Sequence, residues 1–530
     1  MLASETAVHP NPPPTDPVPS IAQPLLMDVQ PSDRRAAGTT PQSPIQEPPI
    51  PTPNLSRTRS WIVIVQLSGI NFISSLSGGL LTIGLPIMAS NLGLSDNLRV
   101  WPSAVSSLTG GSCLLVAGSL ADVLGPRRVN LLGCLFIAVF VLACGLARSG
   151  IELIMFRALQ GIATALFVPS AVSMVSTNIE HGRPRNLGFA FIFLAYPLGY
   201  GLGLALGGVF VNTVGWRPGF FAGGTTGFLF FLVGIWTLPK DPNISKKRLS
   251  TEIDWVGALM AGICIATFSY VLADLSADTA NIKKAVNIVL LIFSVVLALA
   301  FPAWMRFRER QQKPALMPNS LWKNKSFTSV CLMALISNAV VTCMGLFCSL
   351  FFQNIQLLSA IEASVRILPQ VAIGTTLCIL SGMLINKLPV LAAVLTLTVL
   401  CAIAPLLMAV TDPTWPYWYS ALWAQLLTPL SIDITLTIGT LIVTDVFPIH
   451  TQASAGAVFN TFSQLGASVG LCVLSVISTN VTNKSDTKSP QALLAGYRAS
   501  FWTLFAWTLT AFLIGTVGLR NLGKIGRKKD

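Results

Sequence analysis

The chain has 530 residues, 52% of them apolar and only 10% charged, with a net charge of +13. A soluble protein carries about 25% charged residues, so stretches swept this clear of charge exclude an ordinary soluble domain and require a bilayer. The positive charge lies in loops between apolar runs, which excludes a nucleic-acid partner, and the ten cysteines fall inside those runs without ligand spacing, which excludes a metal cluster.

Residues 1–60 come first. Fourteen prolines lie between Pro10 and Pro53, with almost no aromatics. Such a segment cannot bury enough apolar surface to order itself, so it is predicted to be a disordered cytoplasmic tail. It lacks the basic start and apolar core of a signal peptide. Thr40, Ser43 and Thr52 each precede a proline and could accept phosphate, although an inert tail is the simpler reading.

Fourteen apolar runs follow, each with the ~20 residues that cross a ~30 Å core. They lie roughly at 62–89, 99–120, 129–147, 151–176, 187–211, 216–238, 253–274, 285–306, 327–352, 361–385, 389–410, 418–445, 453–478 and 499–519. Continuous runs, unlike alternating ten-residue segments, exclude a β-barrel. Of the 34 Lys and Arg, 24 fall in the tails and in loops on the side of the N-terminus, against eight on the other side. That bias places both termini in the cytoplasm. The opposite loops carry Asn480 and Asn483 in glycosylation acceptor triplets. Trp415, Tyr417, Trp418 and Tyr419 read as an interfacial belt.

Polar residues inside the spans recur at helical spacing. Span 1 has Asn71, Ser75, Gly78 and Thr82, and span 4 has Arg157, Gln160, Gly161 and Thr164. Span 9 has Asn338, Thr342, Gly345, Ser349 and Gln353, and span 12 has Gln425, Asp433, Thr437, Thr440 and Thr444. One such stripe is as well explained by helix–helix contact. Four stripes, two with an ionisable group, point to a shared aqueous cavity. Asp433 lies near the middle of its span, where an isolated charge costs ~2.5–3.5 kcal/mol on insertion scales, so it is a proton carrier, one side of a structural ion pair, or a carboxyl satisfied by a hydrogen bond. Arg157 enters ~9 Å from its helix end at 1.5 Å per residue, too deep to reach the interface easily. Two further motifs stand out. Gly118, Asp122, Gly125, Arg127 and Arg128 form a charged hairpin between spans 2 and 3. Gly199, Gly203 and Gly207, with Gly208, form a flat seam along span 5, followed by Trp216 and Arg217.

On these motifs the chain resembles the major facilitator superfamily, and within it the fourteen-span drug:proton antiporters, over about 62–519. The resemblance implies an all-α integral membrane fold of two pseudo-symmetric six-helix halves, 61–238 and 327–519. Two inserted spans and their loops, 239–326, lie between them, and 520–530 is a basic cytoplasmic tail. In the family this hairpin is a gating motif: Gly118 lets span 2 approach a neighbouring helix, and Asp122 sits against a helix N-terminus and a nearby cation, holding one cytoplasmic gate closed. Arg157 is linked there to substrate binding or proton coupling, and the span-5 seam marks antiporters. This chain departs from the pattern in three places. Val123 and Pro126 replace the usual basic residues, Leu204 replaces a proline, and Ser77 stands where the first span often has Asp. The run from Phe447 to Asn460 resembles fungal members.

The expected function is export of a small amphipathic compound (a drug, toxin or secondary metabolite) with proton coupling. The cavity is expected to be lined by Asp433, Arg157, Gln160, Asn71, Asn338, Thr342 and Gln425. Import of a small polar solute or ion such as ammonium is the alternative, and a transport-dead sensor a third reading. The expected setting is a monomer in the plasma membrane, with the vacuolar membrane as the other site. No cofactor, metal or nucleic acid is expected. The three histidines lie outside the span interiors and no nucleotide-binding loop is present, so neither enzyme chemistry nor ATP drive is expected.

Overall fold

A computed structural model describes residues 55–520, apart from 96–97, 181–182, 242–252, 278, 312, 314–315, 318, 385–389, 448 and 485–488. The side chains of 381–384, 390, 444–445, 449–454 and a few other helix-end positions are also outside the description. Residues 1–54 of the expected tail, the 246–248 cluster and residues 521–530 therefore lie outside the described residues, while 57–60, expected in the tail, already belong to the first helix.

Among the described residues, fourteen helices are long and apolar enough to cross a membrane, as the runs predict. They are α1 Arg57–Asn91, α2 Trp101–Leu124, α3 Pro126–Leu146, α4 Gly150–Asn178, α5 Arg183–Thr213, α6 Arg217–Thr237 and α7 Trp255–Ala277. The others are α8 Ala285–Arg310, α9 Lys325–Asn354, α10 Ala360–Leu384, α11 Val390–Val410, α12, α13 Ile449–Asn483 and α14 Pro490–Gly518. Their starts follow capping chemistry. Ser56, Ser149, Asn324 and Ser489 each accept a hydrogen bond from a backbone N–H three residues on. Pro102, Pro126, Pro218 and Pro490 open helices in the first turn, where no N–H is missed.

Span 12 differs from expectation. It reads as one run, but α12 is two pieces, Ala421–Leu427 and Leu430–Val446. Pro429 sits at the break; it has no N–H to give the Gln425 carbonyl, and its ring crowds that carbonyl. In a membrane such a break persists where protein neighbours re-satisfy the backbone. Here the Thr428 hydroxyl bonds back to Ala424, and the Thr428 carbonyl accepts from the Cys401 thiol at 3.3 Å.

Helix pairing is repeated within the chain. In the first six helices α1 packs on α5 and α6, α4 on α2 and α3, and α3 on α6. In the last six α9 packs on α13 and α14, α12 on α10 and α11, and α11 on α14. The two sets meet where α2 packs on α13 and α5 on α10. The inserted α7 packs on α8, α2 and α13. Asp254 fastens this pair: its Oδ1 caps the Gly257 N–H at 2.9 Å and accepts from Trp304 Nε1 of α8 at 3.0 Å. Below, the face where α1 begins is called proximal and the face where it ends distal.

Candidate functional site

Arg157 is buried in the first set of helices, at 6% exposure. Its Nη1 donates to Gln160 Oε1 at 2.6 Å and to Ser77 Oγ at 3.0 Å, and its Nε donates to the Pro102 carbonyl at 3.2 Å. Gln160 Nε2 also donates to Ser77 Oγ, at 2.6 Å, while Ser77 passes its own proton to the Ser74 carbonyl. Three helices thus converge on one guanidinium. Among the described residues it has no carboxylate partner; the titratable groups that act on it are Cys144 and Tyr196, a thiol and a phenol. Ser77, noted in the sequence only as a missing Asp, is the hub of this cluster.

Asp433 lies in the first turn of the second piece of α12. Its Oδ2 is sealed from solvent without a hydrogen-bond partner, and no ion pair reaches it among the described residues. It faces α10 where Gly374 leaves room; a methyl there would lie 3.4 Å from Oδ2. Cys378 and Cys401 are within its electrostatic reach. Gln425, a fully buried residue in the first piece of α12, finds no nitrogen or oxygen partner for either amide atom among the described residues, and the Cys348 thiol lies beside it. Buried polar atoms left unpaired mark either water or function. Arg157 and Asp433 do not pair with each other: each is in a different helix set with a different neighbourhood.

The expected polar stripes divide into two kinds. Asn71 donates to the Ile192 carbonyl of α5 at 2.8 Å, and Asn338 donates to the Ser463 carbonyl of α13 at 2.7 Å. These amides staple equivalent helix pairs, so the helix-contact reading fits both better than a cavity lining; such bonds are worth ~0.6 kcal/mol on average. Thr342 is half-buried and makes no hydrogen bond among the described residues. Farther along α9, Ser349 Oγ donates to the Thr82 carbonyl at 3.0 Å and Gln353 Nε2 to the Ile83 carbonyl at 3.1 Å. Pro86 explains the first acceptor: without an N–H it leaves the Thr82 carbonyl unpaired within α1. Tyr200 adds its hydroxyl to Thr82 Oγ1 at 3.3 Å. These contacts latch α1, α5 and α9 at the distal end, a turn or two beyond Ser77.

The span-5 seam also divides. A methyl at Gly199 or Gly203 would strike the Phe72 or Leu76 carbonyl of α1, whereas Gly208 packs on Ile361 and Ser364 of α10. Gly207 lies against Leu80.

The hairpin motif departs from expectation. Asp122 is exposed and makes no hydrogen bond or ion pair among the described residues. The carboxylate found at a helix N-terminus is instead Asp241, just after α6. It accepts from the Arg127 and Arg128 N–H groups at 3.0 and 3.1 Å, completing the start of α3. Gly125, at φ 94°, is the turn that makes room for it. Arg127 then reaches the Ile235 carbonyl at 2.6 Å. Gly118 is not a close approach either: a methyl there would sit 3.9 Å from Pro169. The tight α2–α4 crossing is at Gly161, where a methyl would meet the Ser106 carbonyl and Thr109 Oγ1. A carboxylate in a neighbouring loop carries no local sequence signal, which is why Asp241 escapes sequence reasoning. Asn480 and Asn483 are exposed but sit in the last turn of α13 rather than in a surface loop.

Fourteen spanning helices with paired six-helix sets and buried, unpaired charges define a membrane carrier. The model of the Major Facilitator Superfamily matches residues 67–471, and the chain belongs to that family. It is a multi-pass membrane transporter, not an enzyme. It is 35% identical to MFS-type transporter 1 of Pyricularia oryzae, covering 89% of this chain and 85% of the relative. It is 25% identical to the multidrug transporter mdr3 of Aspergillus fumigatus, covering 88% and 80%. Among solved structures, a bacterial homologue of the lysosomal transporter Spinster, inward-facing and occupied, superposes with a TM-score of 0.61 at 15% identity, covering 89% of this chain and 100% of that one. That likeness concerns the fold.

Proposed function

We propose that the chain is a secondary active exporter of a small amphipathic compound, coupled to protons and working by alternating access of α1–α6 against α9–α14. Both termini would be cytoplasmic and the plasma membrane its site. The multidrug role named for the Aspergillus relative supports export. The observation that carries the reading is Asp433, a carboxylate with one oxygen sealed and unpaired at a helix break inside the membrane. Discontinuous helices near the midplane are where carriers of this kind hold substrates and coupling ions. An intramembrane acid without a cation is a proton-relay candidate by default. The test compares accumulation of candidate compounds in cells with and without the protein. Lower accumulation, restored by a proton-gradient uncoupler, is expected. Equal accumulation in both, or a difference that survives the uncoupler, would contradict coupled export.

A further inference from the structure

Arg157 and Ser77 carry an inference about what is transported, one that rests on the transport reading above. An arginine cannot shed its proton in a protein, so this guanidinium stays charged in the bilayer. Hydrogen bonds from Gln160, Ser77 and Pro102 satisfy Nε and Nη1 but bring no negative charge. None of the surrounding elements supplies one among the described residues. The described neighbours are Ser77 of α1, Pro102 of α2, Cys144 of α3, Gln160 of α4 and Tyr196 of α5, all neutral. The remaining nitrogen, Nη2, makes no hydrogen bond among the described residues, and it is not among the atoms sealed from open space. Tyr196 of α5 is within its electrostatic reach. The cluster lies a turn or two along α1 from the distal latch at Thr82 and Ile83.

We propose that Arg157, left without a carboxylate by Ser77, receives the anionic group of the transported compound, so that the substrates are organic anions. A buried unpaired charge is costly until a counter-charge meets it, and Nη2 keeps its N–H donors for a charge-assisted bond to a carboxylate or sulfonate oxygen. The same arrangement accounts for the loss of an acid at position 77. An acid there would neutralise Arg157 and repel the substrate. Exporting an anion from an inside-negative cell also gains about 2.3 kcal/mol per charge per 100 mV, so less proton drive is needed.

The test uses the purified full chain in proteoliposomes and three probes of one shape and fixed charge: naphthalene-1-sulfonate, its neutral sulfonamide and naphthyl-trimethylammonium. The sulfonate is expected to be carried at least ~10-fold faster than the cation, and faster still with an imposed potential that drives anions in the transport direction. Ser77→Asp should remove the sulfonate preference, whereas the neutral, similarly sized Ser77→Asn should keep most of it. Arg157→Lys should retain part of the sulfonate rate and Arg157→Gln should lose it. A merely structural Arg157 would instead lower all three rates together with the yield of folded protein. Preference for the cation, or a sulfonate rate untouched by Ser77→Asp, would overturn the anion assignment and leave transport standing. If a well-folded preparation carries none of the three probes, the amphipathic-substrate reading falls with it.

Discussion

At the scale of single residues, Asp433 and Asp241 show opposite uses of a carboxylate. Asp433 has a sealed, unpaired oxygen. If it carries the coupling proton, Asp433→Asn should abolish uphill transport and permit downhill exchange, because an amide mimics the protonated acid but releases nothing. Asp433→Glu should retain activity with a displaced pH optimum. Gradient-driven transport by Asp433→Asn at wild-type rate would remove it as the proton site. Asp241, by contrast, is spent on structure: two backbone N–H groups at the start of α3 end on it. A carboxylate in such a cap is worth ~1–2 kcal/mol. Asp241→Ala should therefore lower the melting temperature of the detergent-solubilised protein measurably, with Asp122→Ala causing a smaller drop. The reverse order would mean that the hairpin is held some other way.

At the scale of helices, the apolar runs made the fourteen spans legible, because ~20 uncharged residues have few other uses. The interruption of α12 was not legible, since a proline in a membrane helix kinks or breaks it according to what its neighbours can satisfy. Helical spacing correctly put Asn71 and Asn338 on one face each, but it cannot say whether that face meets water or another helix. Both amides turn out to meet a backbone carbonyl of a neighbouring helix. Family motifs point to Gly118 as the close contact, whereas in the structure it is Gly161. Gly161→Ala forces a methyl against the Ser106 carbonyl and should cost ~1–3 kcal/mol, read as a lower yield of monodisperse protein. Gly118→Ala should be close to neutral. Equal effects would contradict the described α2–α4 crossing.

At the scale of the molecule, the repeated pairing of α1–α6 and α9–α14 is the basis for reading the chain as two bodies that rock about a central site. The distal contacts then have a task. Ser349 bonds the Thr82 carbonyl and Gln353 the Ile83 carbonyl, and alternating access as proposed would require these bonds to part once per cycle. Net hydrogen bonds of this kind are worth ~1 kcal/mol each, enough to bias two states and weak enough to break. The most direct measurement of alternating access is therefore a reversible lock across that latch. Thr82→Cys and Ser349→Cys are introduced together in a background with the native cysteines replaced, and substrate flux is followed before oxidation, after it, and after a reducing agent. Alternating access predicts measurable flux in the reduced protein, arrest once the disulfide forms, and recovery of the reduced rate on reduction. Undiminished flux through the cross-linked protein would contradict it.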